Sequence, residues 1–388
     1  MARPDPAIID MIRTLVGFDT TSRESNLGLI ELVRDHLQRL GVESTLVYDP
    51  SGAKANLYAT LGPQDRPGIM LSGHTDVVPV DGQEWSSDPF RLTERDGRLY
   101  GRGAADMKSF IALALHLVPD FLARPLKTPI HLAFSYDEEV GCAGVKGLIE
   151  KLAALPVRPR LCIVGEPTEM QVIVGHKGGR GYRVHIRGRE AHSSLAPGAV
   201  NAIEYAAEIV ALIRAMARRR IADGPFEDGY DVPHTTLQAS RIAGGTAINI
   251  VPKDCRFEFE FRTIAAEDPE ALIGEITALA RDRLEPEMKA KAPESFIAFE
   301  PIYAYPGLAT RPDAELVALV KALAGRNDHA KVAFGTEAGL FTERLGIPAV
   351  VCGPGSIVQA HKPDEFIALD QVAKGEAFLR RLLDHVAA

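Results

Sequence analysis

A mixed, mostly parallel β-sheet flanked by helices, interrupted by a smaller inserted α/β domain, is the fold class this sequence predicts. Two observations lead there. Short apolar runs at Val42 to Val47, Asn56 to Leu61, Gly68 to Ser72, Ile130 to Ser135, Leu161 to Val164 and Ala349 to Cys352 are separated in many places by helix-periodic segments. Several are apolar almost without interruption, as strands buried on both faces are. Between about Arg180 and Ile302 the texture changes. Tyr182, Val184 and Ile186 alternate with Arg183, His185 and Arg187, and Phe257, Phe259 and Phe261 alternate with Glu258, Glu260 and Arg262. These are strands with one wet and one buried face, the antiparallel signature.

The elements follow in order. Leu29, Ile30, Val33, Leu37 and Leu40 form a 3.6-period stripe that stops at Gly41, so Asn26 to Leu40 is an amphipathic helix closed by glycine. Within the changed region, helical patterns at Asn201 to Arg218 and Pro269 to Leu284 give a strand-helix-strand-strand-helix-strand order, that of a ferredoxin-like α/β sandwich. A helix from Asp313 then resumes the first pattern. The expected domains are therefore 1–179 with 303–388, and an insert over 180–302.

The 388 residues exceed what one hydrophobic core organises, and 46% apolar composition can fill two. A net charge of -8 argues against a nucleic-acid binder and against an anionic membrane surface as partner. The one basic run, Arg218-Arg219-Arg220, closes a predicted helix, where cations suit the dipole. Cys142, Cys162, Cys255 and Cys352 are scattered without paired spacing, as in a reducing cytosol. The N-terminus reaches Asp5, Asp10 and Arg13 before any apolar core of signal-peptide length, and no stretch is long enough to span a bilayer. A soluble cytoplasmic protein is expected.

Five segments carry acids or histidines that gather after apolar runs: His74 and Asp76 in Ser72-Gly-His-Thr-Asp-Val-Val-Pro79, Asp106 in Gly101-Arg-Gly-Ala-Ala-Asp-Met-Lys108, Asp137-Glu138-Glu139, Glu166 in Gly165-Glu-Pro-Thr168, and His361 in Ala360-His-Lys-Pro-Asp-Glu365. Singly each has a plain structural reading. Asp106, for example, could simply cap the helix that follows it. Together they are expected to face one crevice at the carboxyl ends of the strands. Imidazole and carboxylate ligands without paired cysteines suit zinc, cobalt or manganese in a site built for chemistry. Three ligand carboxylates, Asp106, Glu139 and Glu166, carry -3 against +4 for two divalent ions. A shared hydroxide then makes the cluster neutral, which a buried site favours, and such a hydroxide is a nucleophile near neutral pH.

This set of motifs resembles the aminoacylase and succinyl-diaminopimelate desuccinylase family of dinuclear zinc amidohydrolases, over essentially the whole chain. The resemblance implies a zinc-peptidase-like catalytic domain, a dimerisation role for the insert, and two divalent ions per subunit, zinc first and cobalt second. It implies that His74, Asp106 and Glu166 hold one ion and Asp106, Glu139 and His361 the other, with Asp76 orienting the His74 ring. Glu138, spared from coordination, would act as general base and acid. His192, in Gly188-Arg-Glu-Ala-His-Ser-Ser194, resembles a loop histidine that a homodimer donates to its partner's site, where it would steady the oxyanion. Asn249 and Arg262 resemble positions that contact the substrate carboxylate. A guanidinium suits that task, although Arg262 could equally pair with neighbouring glutamates.

Phe334-Gly-Thr-Glu-Ala-Gly339 and Cys352-Gly-Pro-Gly-Ser-Ile357 resemble the deacetylase branch of the family more than the desuccinylase, whose loop has Thr-Ser-Asp in place of Thr-Glu-Ala. The implied reaction is hydrolysis of N2-acetyl-L-ornithine to ornithine and acetate, a step of arginine biosynthesis. Gly335, Thr336 and Glu337 would lie at the substrate, Glu337 near its terminal ammonium. Other small-molecule N-acyl amino acids, a peptide substrate, or a non-catalytic binding role are the competing expectations.

Overall fold

The computed structural model describes residues 3–388, which divide into two compact units. One comprises the chain up to His176 with Leu308–Val332 and Thr336–Ala388, and the other Lys177–Gly307 with Ala333–Gly335. The insert is thus slightly wider than the alternation pattern suggests, because its first and last strands run past the last clearly alternating residues. The strands of the chain before the insert are β1 (Ser44–Tyr48), β2 (Ala55–Leu61), β3 (Ile69–His74), β4 (Thr93–Arg95), β5 (Arg98–Tyr100), β6 (Ile130–Ser135), β7 (Leu161–Pro167) and β8 (Ile173–His176). The insert holds β9 (Gly178–Arg187), β10 (Thr236–Gly244), β11 (Asp254–Thr263) and β12 (Phe296–Tyr305), and β13 (Leu308–Ala309), β14 (Ala330–Val332), β15 (Ala349–Gly353) and β16 (Phe366–Ala368) follow.

In the first unit the large sheet runs β1-β2-β6-β3-β7-β15-β8-β13, with β14 against β8. Its centre, β6-β3-β7-β15, is parallel; β1 and β2 join one side antiparallel, and on the other β8 pairs antiparallel with β15 and β13 and parallel with β14. The four central strands are buried along their whole length, as their nearly continuous apolar runs predict. The helices Pro6–Val16, Lys108–His116, Glu315–Ala324 and Leu369–Ala387 pack together on one side, and Val145–Ala153 packs with Ala338–Leu345 on the other. The helix Leu27–Arg39 ends as expected, with Gly41 just beyond it at a left-handed φ of 77°. A separate three-stranded sheet, β16-β5-β4, joins the stretch before Asp106 to the stretch after His361. No apolar pattern announces it.

The second unit is an antiparallel sheet of order β10-β11-β9-β12, the strand order of a ferredoxin-like sandwich. Phe257, Phe259 and Phe261 point into its core with Val184 and Ile186, while Arg183 and Glu258 pair on the wet face. The helix Ala202–Asp223 starts where the Asn201 side chain accepts the N–H groups of Ile203 and Glu204. It extends past Arg218, whose neighbours Arg219 and Arg220 pair with Glu275 and Glu267. The second helix is interrupted: Pro269–Leu279 passes through a wider π turn at Ala280–Leu284 into Glu285–Lys291.

Among the described residues no helix is long and apolar enough to cross a membrane. All four cysteines are free and buried.

Candidate metal centre

Parallel pairing lines up the ends of the central strands. His74 closes β3 and is in register with Ser135 at the end of β6. On its other side, Ser72 pairs with Val164, which sets His74 beside Glu166 on β7. The Asp137-Glu138-Glu139 turn follows β6, and His361 lies beyond the end of β15 after a short turn at Ile357–Gln359. Four neighbouring strands thus deliver their polar residues to one carboxyl-terminal edge, as open α/β sheets do. Asp106 arrives differently, on the glycine-rich turn between β5 and the helix Lys108–His116. It is not that helix's cap: Met107 holds the position and supplies no side-chain bond.

Asp106 faces two histidines at once. Its Oδ1 lies 3.0 Å from His74 Nε2 and its Oδ2 lies 3.4 Å from His361 Nε2. Glu166 Oε2 is 3.7 Å from the same His74 nitrogen, and Glu139 Oε2 is 3.1 Å from the same His361 nitrogen. The site therefore has two halves, each with one imidazole and one private carboxylate, and a shared aspartate between them. One potential ligand atom each from His74, Asp106 and Glu139 lie within 4.8 Å of one another, and so do those of His74, Glu138 and Glu166.

The electrostatics call for cations. His74, Asp106 and Glu166 are buried, and among the described residues only histidines come within ion-pair distance of Asp106, Glu139 and Glu166. Burial, followed by the charge of Asp106, pushes Glu139 up to about 7 and Glu166 up to about 8. Burial and then Glu166, Glu139 and Glu337 drive Glu138 well above the carboxylate range, against the pull of His74. Burial also acts to raise Asp106, but hydrogen bonds from His361 and His74 hold it below its ordinary value. His361 rises to about 10 through its bonds to Asp106 and Glu139. Carboxylates this strained by desolvation, and imidazoles this basic, fit a pair of divalent ions.

Beside this centre, the Asp76 carboxylate is not the nearest acceptor for the His74 ring. His74 Nδ1 lies nearer the Asp76 backbone carbonyl, at 2.9 Å, than its carboxylate, at 3.5 Å. The carboxylate instead accepts the N–H groups of Glu138 and Glu139 and the Ser22 hydroxyl. The Cys142 thiol lies 3.4 Å from Glu138 Oε1. Glu337 is buried, takes a 3.5 Å hydrogen bond from the Ser72 hydroxyl and is pushed up to about 7 by burial. Thr336 is also buried, and its hydroxyl accepts the N–H of Ala338 at the start of a helix.

In the second unit, His192 is exposed and its Nδ1 sits 2.8 Å from the Ser194 hydroxyl. Asn249 is exposed on a nearby loop, and Ser193 donates its N–H to the Asn249 carbonyl. Arg262 bonds Glu260 at 3.1 Å and lies beside the Tyr303 and Tyr305 rings. Gly335 packs against Tyr305 so closely that any side chain would strike the ring.

The family model for peptidase family M20/M25/M40 matches residues 70–385. This chain belongs to that family. Among its relatives, acetylornithine deacetylase of Myxococcus xanthus is 36% identical over 385 residues, covering 98% of this chain and 97% of the relative. The acetylornithine deacetylase of Photorhabdus laumondii is 33% identical over 387 residues, with 98% and 97% covered. Solved structures agree on the fold. The M20 family metallo-carboxypeptidase of Sulfolobus solfataricus superposes with a TM-score of 0.75 at 20% identity, covering 99% of this chain and all of that one. Human carnosine dipeptidase 1 gives 0.72 at 17% identity, with 98% and 96% covered. The Bacillus subtilis YXEP protein, described as a dinuclear metal binding peptidase, gives 0.67 at 16%, with 98% and 97% covered.

Proposed function

We propose that this M20 protein is a dinuclear metal amidohydrolase that hydrolyses N2-acetyl-L-ornithine to L-ornithine and acetate. The observation that carries the metal half of this reading is Asp106, whose two oxygens address His74 and His361 separately. The relatives called acetylornithine deacetylase, matched along nearly their full length, support the substrate half.

His74, Asp106 and Glu166 would hold one ion, and Asp106, Glu139 and His361 the second, zinc being the first choice and cobalt the next. When bound, the ions would polarise the scissile carbonyl and acidify the water that attacks it. Glu138 takes the proton of that water and passes it to the departing amine nitrogen. Among the described residues, Asp106, Glu139 and Glu166 each lie within ion-pair distance of a histidine and Glu138 does not, and its upward shift suits a group that must carry a proton. Asp76 keeps Glu138 and Glu139 in place through their backbone N–H groups.

His192 is assigned to the oxyanion of a second copy's substrate, which makes the active form a homodimer. Strand β10 supports an association surface, since it edges the insert's sheet and Gln238–Gly244 are exposed. Asn249 and Arg262 are assigned to the substrate carboxylate, which would compete with Glu260 for the guanidinium. Gly335, Thr336 and Glu337 are assigned to the substrate, with the buried Glu337 acting on its terminal ammonium. Location in the cytoplasm belongs to the same reading.

The test is a turnover panel of acetylornithine, acetylcitrulline, acetylmethionine, succinyl-diaminopimelate and dipeptides, with metal quantified per subunit. Acetylornithine should lead with two ions bound. Preference for another member moves the substrate, and hydrolysis of none in metal-replete protein removes the enzyme reading.

A further inference from the structure

His361 sits on a loop that would not hold its shape alone. His361 and Asp364 both take left-handed backbone conformations, with φ of 63° and 55°, which non-glycine side chains disfavour. Strain of this kind persists where surrounding contacts enforce it, and the contacts are present. Gln83 donates from Nε2 to the His361 carbonyl at 3.1 Å. Its Oε1 accepts Arg102 Nη2 at 2.6 Å and Trp85 Nε1 at 3.1 Å. Ser86 donates its N–H and hydroxyl to Asp364, both at 2.9 Å.

Arg102 continues the chain of contacts inward. Its Nη1 donates to Glu365 at 2.7 Å and to the Lys362 carbonyl at 3.3 Å, and both charged side chains are 1% exposed. Glu365 in turn accepts three backbone N–H groups, from Gly103 at 3.2 Å, Ala105 at 2.8 Å and Asp106 at 3.1 Å. A buried ion pair gains little stability over an apolar replacement, so its geometry is the better clue to its use. One end grips the peptide of the shared aspartate, and the other grips the loop of the second histidine.

We propose that Gln83, Arg102 and Glu365 are positioning residues that set the spacing between His361 and Asp106, and so tune the second metal half-site separately from the first. The asymmetry follows from how the ligands are anchored. His74 and Glu166 stand on adjacent central strands, with Asp76 beside the His74 ring. His361 depends on a strained loop. The inference rests on the two-metal reading above.

The test titrates metal-free protein with Zn2+ by calorimetry and follows Co2+ loading by its visible absorption. Gln83→Leu removes the tie to the His361 carbonyl from a half-exposed position. It should leave the first equivalent and the metal-free melting temperature as in the parent, while the second equivalent binds roughly 10-fold or more weakly, the usual scale for a ligand-orienting contact. Glu365→Gln, which also loosens the peptide of the shared Asp106, should weaken both equivalents, the second by more. Two equivalents in Gln83→Leu binding as in the parent, or both weakening together, overturn the inference. A parent that binds fewer than two equivalents instead overturns the two-metal reading beneath it.

Discussion

The Asp76 carboxylate receives the backbone N–H of Glu138 on one oxygen at 3.0 Å, and that of Glu139 on the other at 3.2 Å. One aspartate thus fixes the proposed general base and a proposed ligand through their peptide groups, while touching neither side chain. Asp76→Asn presents an amide NH2 where a carboxylate oxygen met an N–H. We expect a folded protein whose kcat/KM falls roughly 10- to 100-fold with weakened metal binding. Parent-like kinetics and metal content would remove Asp76 from this role.

Glu138→Gln keeps the size of the side chain and removes its proton chemistry. Metal content should stay at the parent value while kcat falls roughly 10²- to 10⁴-fold, the scale of general acid–base catalysis. Measured metal per subunit separates this from loss of the site, and near-normal turnover would exclude Glu138 as the proton carrier.

His192 is tested by mixing. His192→Ala and Glu138→Gln should each be nearly inactive alone, and co-refolded or exchanged subunits should regain part of the activity, because one of the two sites in a mixed dimer is complete. With subunit exchange confirmed by differently tagged chains, no recovery would rule out donation between copies.

His131 gives a pH prediction remote from the metal ligands. It is buried, its Nδ1 shares hydrogen bonds with Tyr58 at 2.8 Å and Thr60 at 3.0 Å, and burial lowers its pKa to about 4. The native state keeps the ring neutral, whereas the unfolded chain takes up a proton below its ordinary value near 6.5. The stability the neutral ring contributes is therefore present above pH 6.5 and lost as pH falls towards 4, by roughly 3 kcal/mol. His131→Gln should lack this share of acid sensitivity, read from urea midpoints between pH 7 and 4.5. Parallel pH profiles for the two proteins would contradict it.

Gly165 lies in β7 directly under the helix Lys108–His116, and a methyl group there would fall 2.1 Å from the Phe110 ring. Gly165→Ala should cost roughly 1–3 kcal/mol as the helix is pushed off the sheet. A lowered melting temperature with Glu166 next door should also reduce metal affinity, and an unchanged melting temperature would show that Phe110 can step aside.

The large sheet was legible because its central strands are buried on both faces, and that burial writes itself as nearly continuous apolar runs such as Leu161 to Val164. The insert was legible because Phe257, Phe259 and Phe261 alternate with charge. The three-residue strands β4, β5 and β16 were not, since each is too short to show a period. Within the site, the motif residues could be read, while the contacts among them could not. Asp76 acts on main-chain N–H groups, which no residue pattern records. Arg102 and Glu365 stand far apart in sequence and are joined only by folding.

Strand β15 (Ala349–Gly353) lies between β7 and β8 in the middle of the large sheet, yet it follows both of them and the entire insert along the chain. Until the ribosome has delivered it, the inner margin of β7 has no partner, and that margin belongs to a strand apolar on both faces. A chain shortened before Ala349 should therefore associate with other chains and precipitate, with no partial activity to recover, because unpaired apolar strand margins recruit one another. Strand β15 thus fills the gap between strands made long before it, and His361 follows it on the same edge of the sheet.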